Sequence, residues 1–162
     1  MGRTGKGGHS LARESRIRRA EAGDVPAIVA LLADDPLGRL REDVEDLAVY
    51  HAAFTAIDSD PNQLLAVAER GDDVVGTLQL TFVPGLSRRA ATRAQVEGVR
   101  VHRDERKSGL GGRLMEWAER EARTRGCTIL QLTSDAARTD AHRFYERLGF
   151  RPTHVGFKKD LA

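Results

Sequence analysis

One cysteine, one tryptophan and two tyrosines occur in 162 residues, and aromatics make up only 5% of the chain. A lone Cys127 excludes an internal disulfide framework. No apolar run approaches the roughly 20 residues that a membrane-spanning helix requires, so the chain does not read as a membrane protein. His9, His51, His102, His142 and His154 are scattered without ligand spacing, so with Cys127 they suggest no metal site. The basic start of the chain has no apolar segment behind it, unlike a secretory signal. Lys6 also stands where a myristoylation motif wants Ser or Thr. The expectation is a cytoplasmic protein. Two familiar glycine signatures are missing too. No strand leads into a Walker loop, and Leu114 occupies the third glycine position of the dinucleotide fingerprint.

Charge is plentiful, at 31% of residues with a net +2, but unevenly spread. Arg3, Lys6, Arg13, Arg16, Arg18 and Arg19 face only Glu14 near the start, and the first residues are rich in Gly and Ser. Residues 1–14 therefore read as a flexible basic tail and 15–162 as a single domain. No aromatic residues interleave with these charges to stack on bases, which argues against a nucleic-acid arm.

The remaining chain alternates regularly. Residues 16–20 predict a strand. A helix capped at Gly23-Asp24 follows, with Val25, Ile28, Val29, Leu31 and Leu32 at helical spacing. A second helix is expected over about 42–57 and a hairpin over 63–69 and 74–83, turning at Arg70-Gly-Asp-Asp. A strand over 92–101, a helix over 111–125, a strand over 128–133 and a final strand over 153–159 complete the reading. This is a mixed α/β sheet with a parallel central pair. Met115 and Trp117 read as packing residues of the helix over 111–125, and Cys127 as a small core residue.

The densest signal is the run from Val99 to Leu114, where a strand passes through a glycine-rich turn straight into a helix. Gly109, Gly111 and Gly112 allow a tight turn and a close approach of main-chain N–H groups to an anion. The helix N-terminus adds its dipole, and Arg106, Lys107 and Arg113 add charge.

Arg106-x-x-Gly109-x-Gly111 resembles the coenzyme A pyrophosphate loop of the GNAT superfamily of N-acyltransferases. Ala141-His-Arg-Phe-Tyr-Glu-Arg-Leu-Gly-Phe150 is similar to the block that closes that domain. The resemblance covers about residues 16–160 and is specific in the last 65 or so. It implies a mostly antiparallel sheet of six to seven strands, about four flanking helices, and a parallel pair splayed around acetyl-CoA. By resemblance, Val99, Arg100 and Val101 pair with the pantetheine arm, and a main-chain N–H near Val99 polarises the thioester. Arg106, Lys107, Ser108, Gly109, Leu110, Gly111, Gly112 and Arg113 hold the pyrophosphate, and Arg138 and His142 are further cofactor contacts.

Tyr145 matches the family tyrosine that protonates the thiolate, with a core aromatic beside Phe144 as the competing reading. Glu97 is the candidate base, on one face with Gln95, Val99 and Val101 unless a bulge intervenes. Alternatively it pairs with Arg88, Arg89, Arg93 or Arg100. Arg138 replaces the usual Asn and could meet either a coenzyme A phosphate or an acidic group on the acceptor. The implied reaction is direct acetyl transfer to a primary amine, on a small molecule or a protein, in a ternary complex. A homodimer is compatible with the resemblance. The alternative is an inactive acetyl-CoA sensor or partner module, against which Tyr145 and Glu97 argue.

Overall fold

The computed structural model describes residues 15–34 and 38–161, so the basic tail expected at 1–14 lies outside the described residues. Its sheet runs β1 (Arg16–Arg19), β2 (Gln63–Arg70), β3 (Asp73–Val83), β4 (Arg93–Val101) and β5 (Ile129–Leu132) in that spatial order. The first four strands are antiparallel, and β5 joins β4 in parallel. The helices are α1 (Val25–Ala33), α2 (Ala48–Ser59), α3 (Ser87–Ala90), α4 (Leu110–Thr124) and α5 (Thr139–Arg147).

The two faces of the sheet are packed differently. Leu64, Ala66, Leu78, Leu80, Ala94 and Val96 point toward α4, where Leu110, Leu114, Met115 and Ala118 close the main core. Trp117 and Cys127 pack against this core, as expected of them. On the other face Val67 meets Val25, Ile28 and Val29 of α1 and Phe54 of α2. Alternate residues of β2 thus serve two cores, as the two-residue period of a strand demands.

Two departures from the sequence reading have physical causes. The second helix begins at Ala48 instead of near Glu42. Asp43 Oδ1 accepts from the amides of Glu45 and Asp46, and Asp46 Oδ1 accepts from that of Ala48. These local turns satisfy the backbone in place of helical bonds. Residues 153–159, expected as a strand, have no regular structure and are exposed, so among the described residues the sheet has five strands, not six or seven. Val155 and Phe157 alternate as a strand would, but Pro152 and Gly156 weaken the segment and no strand pairs with it. In α3, Arg88, Arg89 and Ala90 are all left-handed, at φ 53°, 58° and 59°. That conformation costs each of these residues about 1 kcal/mol.

A charged cluster ties the first strand to α1 and β2. The Arg18 guanidinium forks onto Asp24 at 2.7 and 2.9 Å while its Nε donates to Glu69 at 2.7 Å. Asp24 also accepts from the Glu21 amide at 2.7 Å. The bonds from Arg18 hold the Asp24 carboxyl below the usual carboxylate range, against the opposing effect of burial. This contribution is therefore complete above about pH 4 and lost as pH falls through the depressed folded-state value. Asp24→Asn is expected to cost about 2 kcal/mol at pH 7 and much less at pH 2, measured by urea denaturation at both values.

Candidate active site

The site begins with one extra residue. Gln79 pairs with Glu97 and Thr77 with Arg100, so Gly98 and Val99 stand opposite Leu78 alone. Gly98 accepts the bulge with φ +60°. Ala94 and Val96 face the α4 core before the bulge, whereas Val99 and Val101 face it afterwards. Glu97 therefore does not share a face with Val99 and Val101; it lies exposed on the α1 side, on one face with the half-buried Gln95.

Ladder pairing between β4 and β5 ends at Val96 and Leu132. From Glu97 to Val101, β4 runs on with only β3 beside it, which leaves an opening next to its free edge. A cavity of about 300 Å³ here is lined by Val99, Arg100, Val101, Arg106 and Arg138. Five of the residues expected to hold the cofactor thus converge on one space.

The glycine loop closes one end of this region. Lys107 (φ 70°) and Gly109 (φ 85°) are left-handed, and Ser108 Oγ accepts from the Leu110 amide at 3.3 Å. The first-turn amides of α4 have no carbonyl four residues back to bond. The three glycines differ in purpose. A Cβ on Gly109 or Gly112 would meet nothing within 4 Å, whereas one on Gly111 would come within 3.2 Å of Phe144 Cζ. Gly109 and Gly112 keep the loop open, and Gly111 lets α5 pack against α4. Leu110 is 1% exposed, so its side chain belongs to the core, and only its main chain can serve the loop.

Asp34, read from sequence only as part of a helix break, grips the loop from α1. Its carboxylate accepts from Arg103 at 3.0 Å and Arg106 at 3.3 Å. Glu105, also unforeseen, is buried and pairs with Arg70 at 2.6 Å. An acid before the loop basic residues was the available signal, but long-range partners cannot be read from spacing.

On α5 the two aromatics divide their labour. Phe144 packs on Gly111, while Tyr145 stacks edge-on with Phe144 and Phe150 at 5.1 and 5.8 Å. Burial pushes the Tyr145 phenol above its ordinary value, and the positive charges of Arg138 and Arg100 pull it partly back. The phenol thus feels two of the cavity arginines and stays protonated at neutral pH. His142 is turned elsewhere, its Nε2 lying 2.8 Å from the Asp135 carbonyl. Glu97 forms no ion pair with any described arginine. Among the described residues no group of His, Cys, Asp and Glu could hold a metal ion, and no helix is long and apolar enough to cross a membrane.

A sequence profile of the Acetyltransferase (GNAT) family matches residues 25–150. The chain belongs to the GNAT family of acetyltransferases. It is 31% identical over 145 residues to the aminoalkylphosphonate N-acetyltransferase of Salmonella typhimurium, covering 90% of each chain. Among solved structures, a protein described as a transcriptional regulator from Bacillus halodurans aligns with TM-score 0.88 and 45% identity, over 91% of this chain and all of that one. Glucosamine-6-phosphate N-acetyltransferase from Arabidopsis thaliana shares the fold at TM-score 0.77 and 19% identity, over 92% and 99% of the two chains.

The unequal roles of the paired aromatics can be measured by folding alone. Phe144→Ala is expected to cost about 2–3 kcal/mol, since it empties the space against Gly111. Tyr145→Phe is expected to change stability by less than about 1 kcal/mol. Denaturant midpoints of the two variants check both.

Proposed function

We propose that this GNAT acetyltransferase moves the acetyl group of acetyl-CoA directly to the primary amine of a small aminoalkyl compound in a ternary complex. The observation that carries this reading is the convergence of Val99, Arg100, Val101, Arg106 and Arg138 on one cavity whose arginines act on the Tyr145 phenol. The family and the 31% identical aminoalkylphosphonate N-acetyltransferase support the acceptor class.

The coenzyme A phosphates lie on the main chain of 107–112 at the α4 N-terminus, near Arg106 and Arg113, where amides and the helix dipole favour anions. The pantetheine takes the edge of β4 that β5 leaves open. The Val99 amide donates to the thioester carbonyl and to the oxyanion formed from it, an interaction worth roughly 3 kcal/mol in comparable sites. Glu97, directly or through a water, takes a proton from the ammonium to free the nitrogen lone pair. That nitrogen attacks the carbonyl carbon, the C–N bond forms, the C–S bond breaks, and Tyr145 protonates the departing thiolate. The second amine proton restores the phenol, so one proton is released overall. Arg138, beside both cavity and phenol, contacts the cofactor.

A second reading draws on the 45% identical relative described as a transcriptional regulator: the domain would bind acetyl-CoA as a sensor without turnover. Thiol release from acetyl-CoA, followed against a panel of amines with calorimetric cofactor binding, separates the two. Amine-dependent release supports the enzyme; binding without release from any amine supports the sensor. Tyr145→Phe is expected to lower kcat by at least about a hundredfold while leaving the acetyl-CoA Kd unchanged. An equal fall in cofactor affinity would overturn the acid role of Tyr145. Gly112→Val is expected to do the opposite, weakening acetyl-CoA binding by about tenfold or more in a folded protein, as isothermal calorimetry would report.

A further inference from the structure

The α1 side of the sheet carries a row of polar side chains where a covered sheet would be apolar. Gln63, Thr81, Gln95 and Gln131 are register partners across β2, β3, β4 and β5. They are joined in two sets. Gln63 Oε1 accepts from Gln79 Nε2 and Thr81 Oγ1, both at 2.9 Å, and Gln95 Oε1 accepts from Gln131 Nε2 at 2.8 Å. Neither helical core reaches this row: α1 and α2 pack on Val67, Leu65 and Val74 farther along the strands. Half-buried amides in mid-sheet forgo the apolar contact that usually stabilises such positions.

The row leads directly to the candidate base. Before the bulge Arg93, Gln95 and Glu97 share one face of β4, because Ala94 and Val96 between them enter the opposite core. Arg93 is half-buried and Glu97 exposed, and neither has an ion pair among the described residues. A cation and an anion four residues apart on one strand, left unpaired, with amides between them, form a bipolar bed.

We infer that this bed is the acceptor site: Glu97 takes the ammonium, Arg93 the acidic group at the other end of the same small molecule, and Gln95 and Gln131 the middle. The inference rests on the acetyltransferase reading above and names the residue that selects its substrate. Spacing sets the size of the ligand. Four strand residues span about 13 Å, and a hydrogen bond at each end takes about 3 Å, leaving about 7 Å for the ligand. An amine two or three carbons from a phosphonate, phosphate or carboxylate has that reach. Gln95, its Oε1 occupied by Gln131, retains two N–H donors for the acidic group beside Arg93. Planar guanidinium and tetrahedral oxyanion can meet through two parallel bonds, which a lysine cannot reproduce.

The test compares 2-aminoethylphosphonate with propylamine, which has an amine and no acid, in the purified full chain with acetyl-CoA. For Arg93→Gln the ratio of kcat/KM for the phosphonate over propylamine is expected to fall about tenfold or more, through KM, with Arg93→Lys intermediate. The acetyl-CoA Kd and the melting temperature serve as controls for folding and cofactor binding. A ratio within twofold of wild type in a folded Arg93→Gln protein that still transfers acetyl groups overturns this inference alone. Acetyl-CoA binding by the wild type with no transfer to either amine overturns the proposed function as well.

Discussion

Two residues of β4, Gly98 and Val99, face a single residue of β3, and most of the candidate site is a consequence of that extra residue. The bulge reverses which side chains of β4 enter the core. Ahead of it the even-numbered residues are buried, so Glu97 is released to the α1 side; beyond it Val99 and Val101 are drawn onto α4. An uninterrupted strand would either bury Glu97 and turn Val96 outward or expose both valines. The bulge also coincides with the end of pairing between β4 and β5 at Val96 and Leu132. Extra residues bend a strand and increase its local twist, which helps carry the far end of β4 away from its parallel neighbour. One insertion thus opens the edge, turns the carboxylate outward and directs the strand toward the glycine loop.

Elements with a strong local signal were legible in the sequence. The helix opening at the glycine loop, the hairpin and the parallel pair all stand where periodicity and turn residues put them. The loop itself was legible because an anion cradle at a helix N-terminus needs glycines at fixed offsets. Geometry that depends on partners distant in sequence was not. Nothing around Glu97 reports that Gly98 will adopt φ +60° opposite Leu78, so the bulge on which its face depends cannot be placed from the sequence. Asp34 reaches Arg103 and Arg106 across about seventy positions of chain, as their separations of 69 and 72 show. The segment 153–159 shows the reverse failure. Its alternation is strand-like, but a strand is completed only by a neighbour, and no strand among the described residues pairs with that segment.

The glycines also show how one residue type can serve opposite ends. At 109 and 112 the absent Cβ leaves space open, while at 111 the space is filled by Phe144. An alanine would satisfy helix propensity better at 111 and 112, whereas the left-handed φ of +85° favours glycine at 109. The cost at Gly111 therefore has to be offset by close approach of α5, and that approach fixes Tyr145, the next residue along, against the same core.

A long polyanionic cofactor must be held at its phosphates and positioned at its sulfur, two tasks separated by the length of the pantetheine arm. In the reading proposed above, one packed unit would serve both. In that reading the α4 N-terminus takes the phosphates; in the structure α4 seats Phe144 at Gly111, and α5 sets the phenol near Arg100 and Arg138. Interiors at crystal-like density do not absorb small displacements locally. The glycine loop is linked to Tyr145 through the approach of Gly111 to Phe144 and the edge-on contact of the two rings. On that reading the phosphate site and the proposed proton donor share one line of contacts, along which three of the chain's eight aromatics, Phe144, Tyr145 and Phe150, pack together.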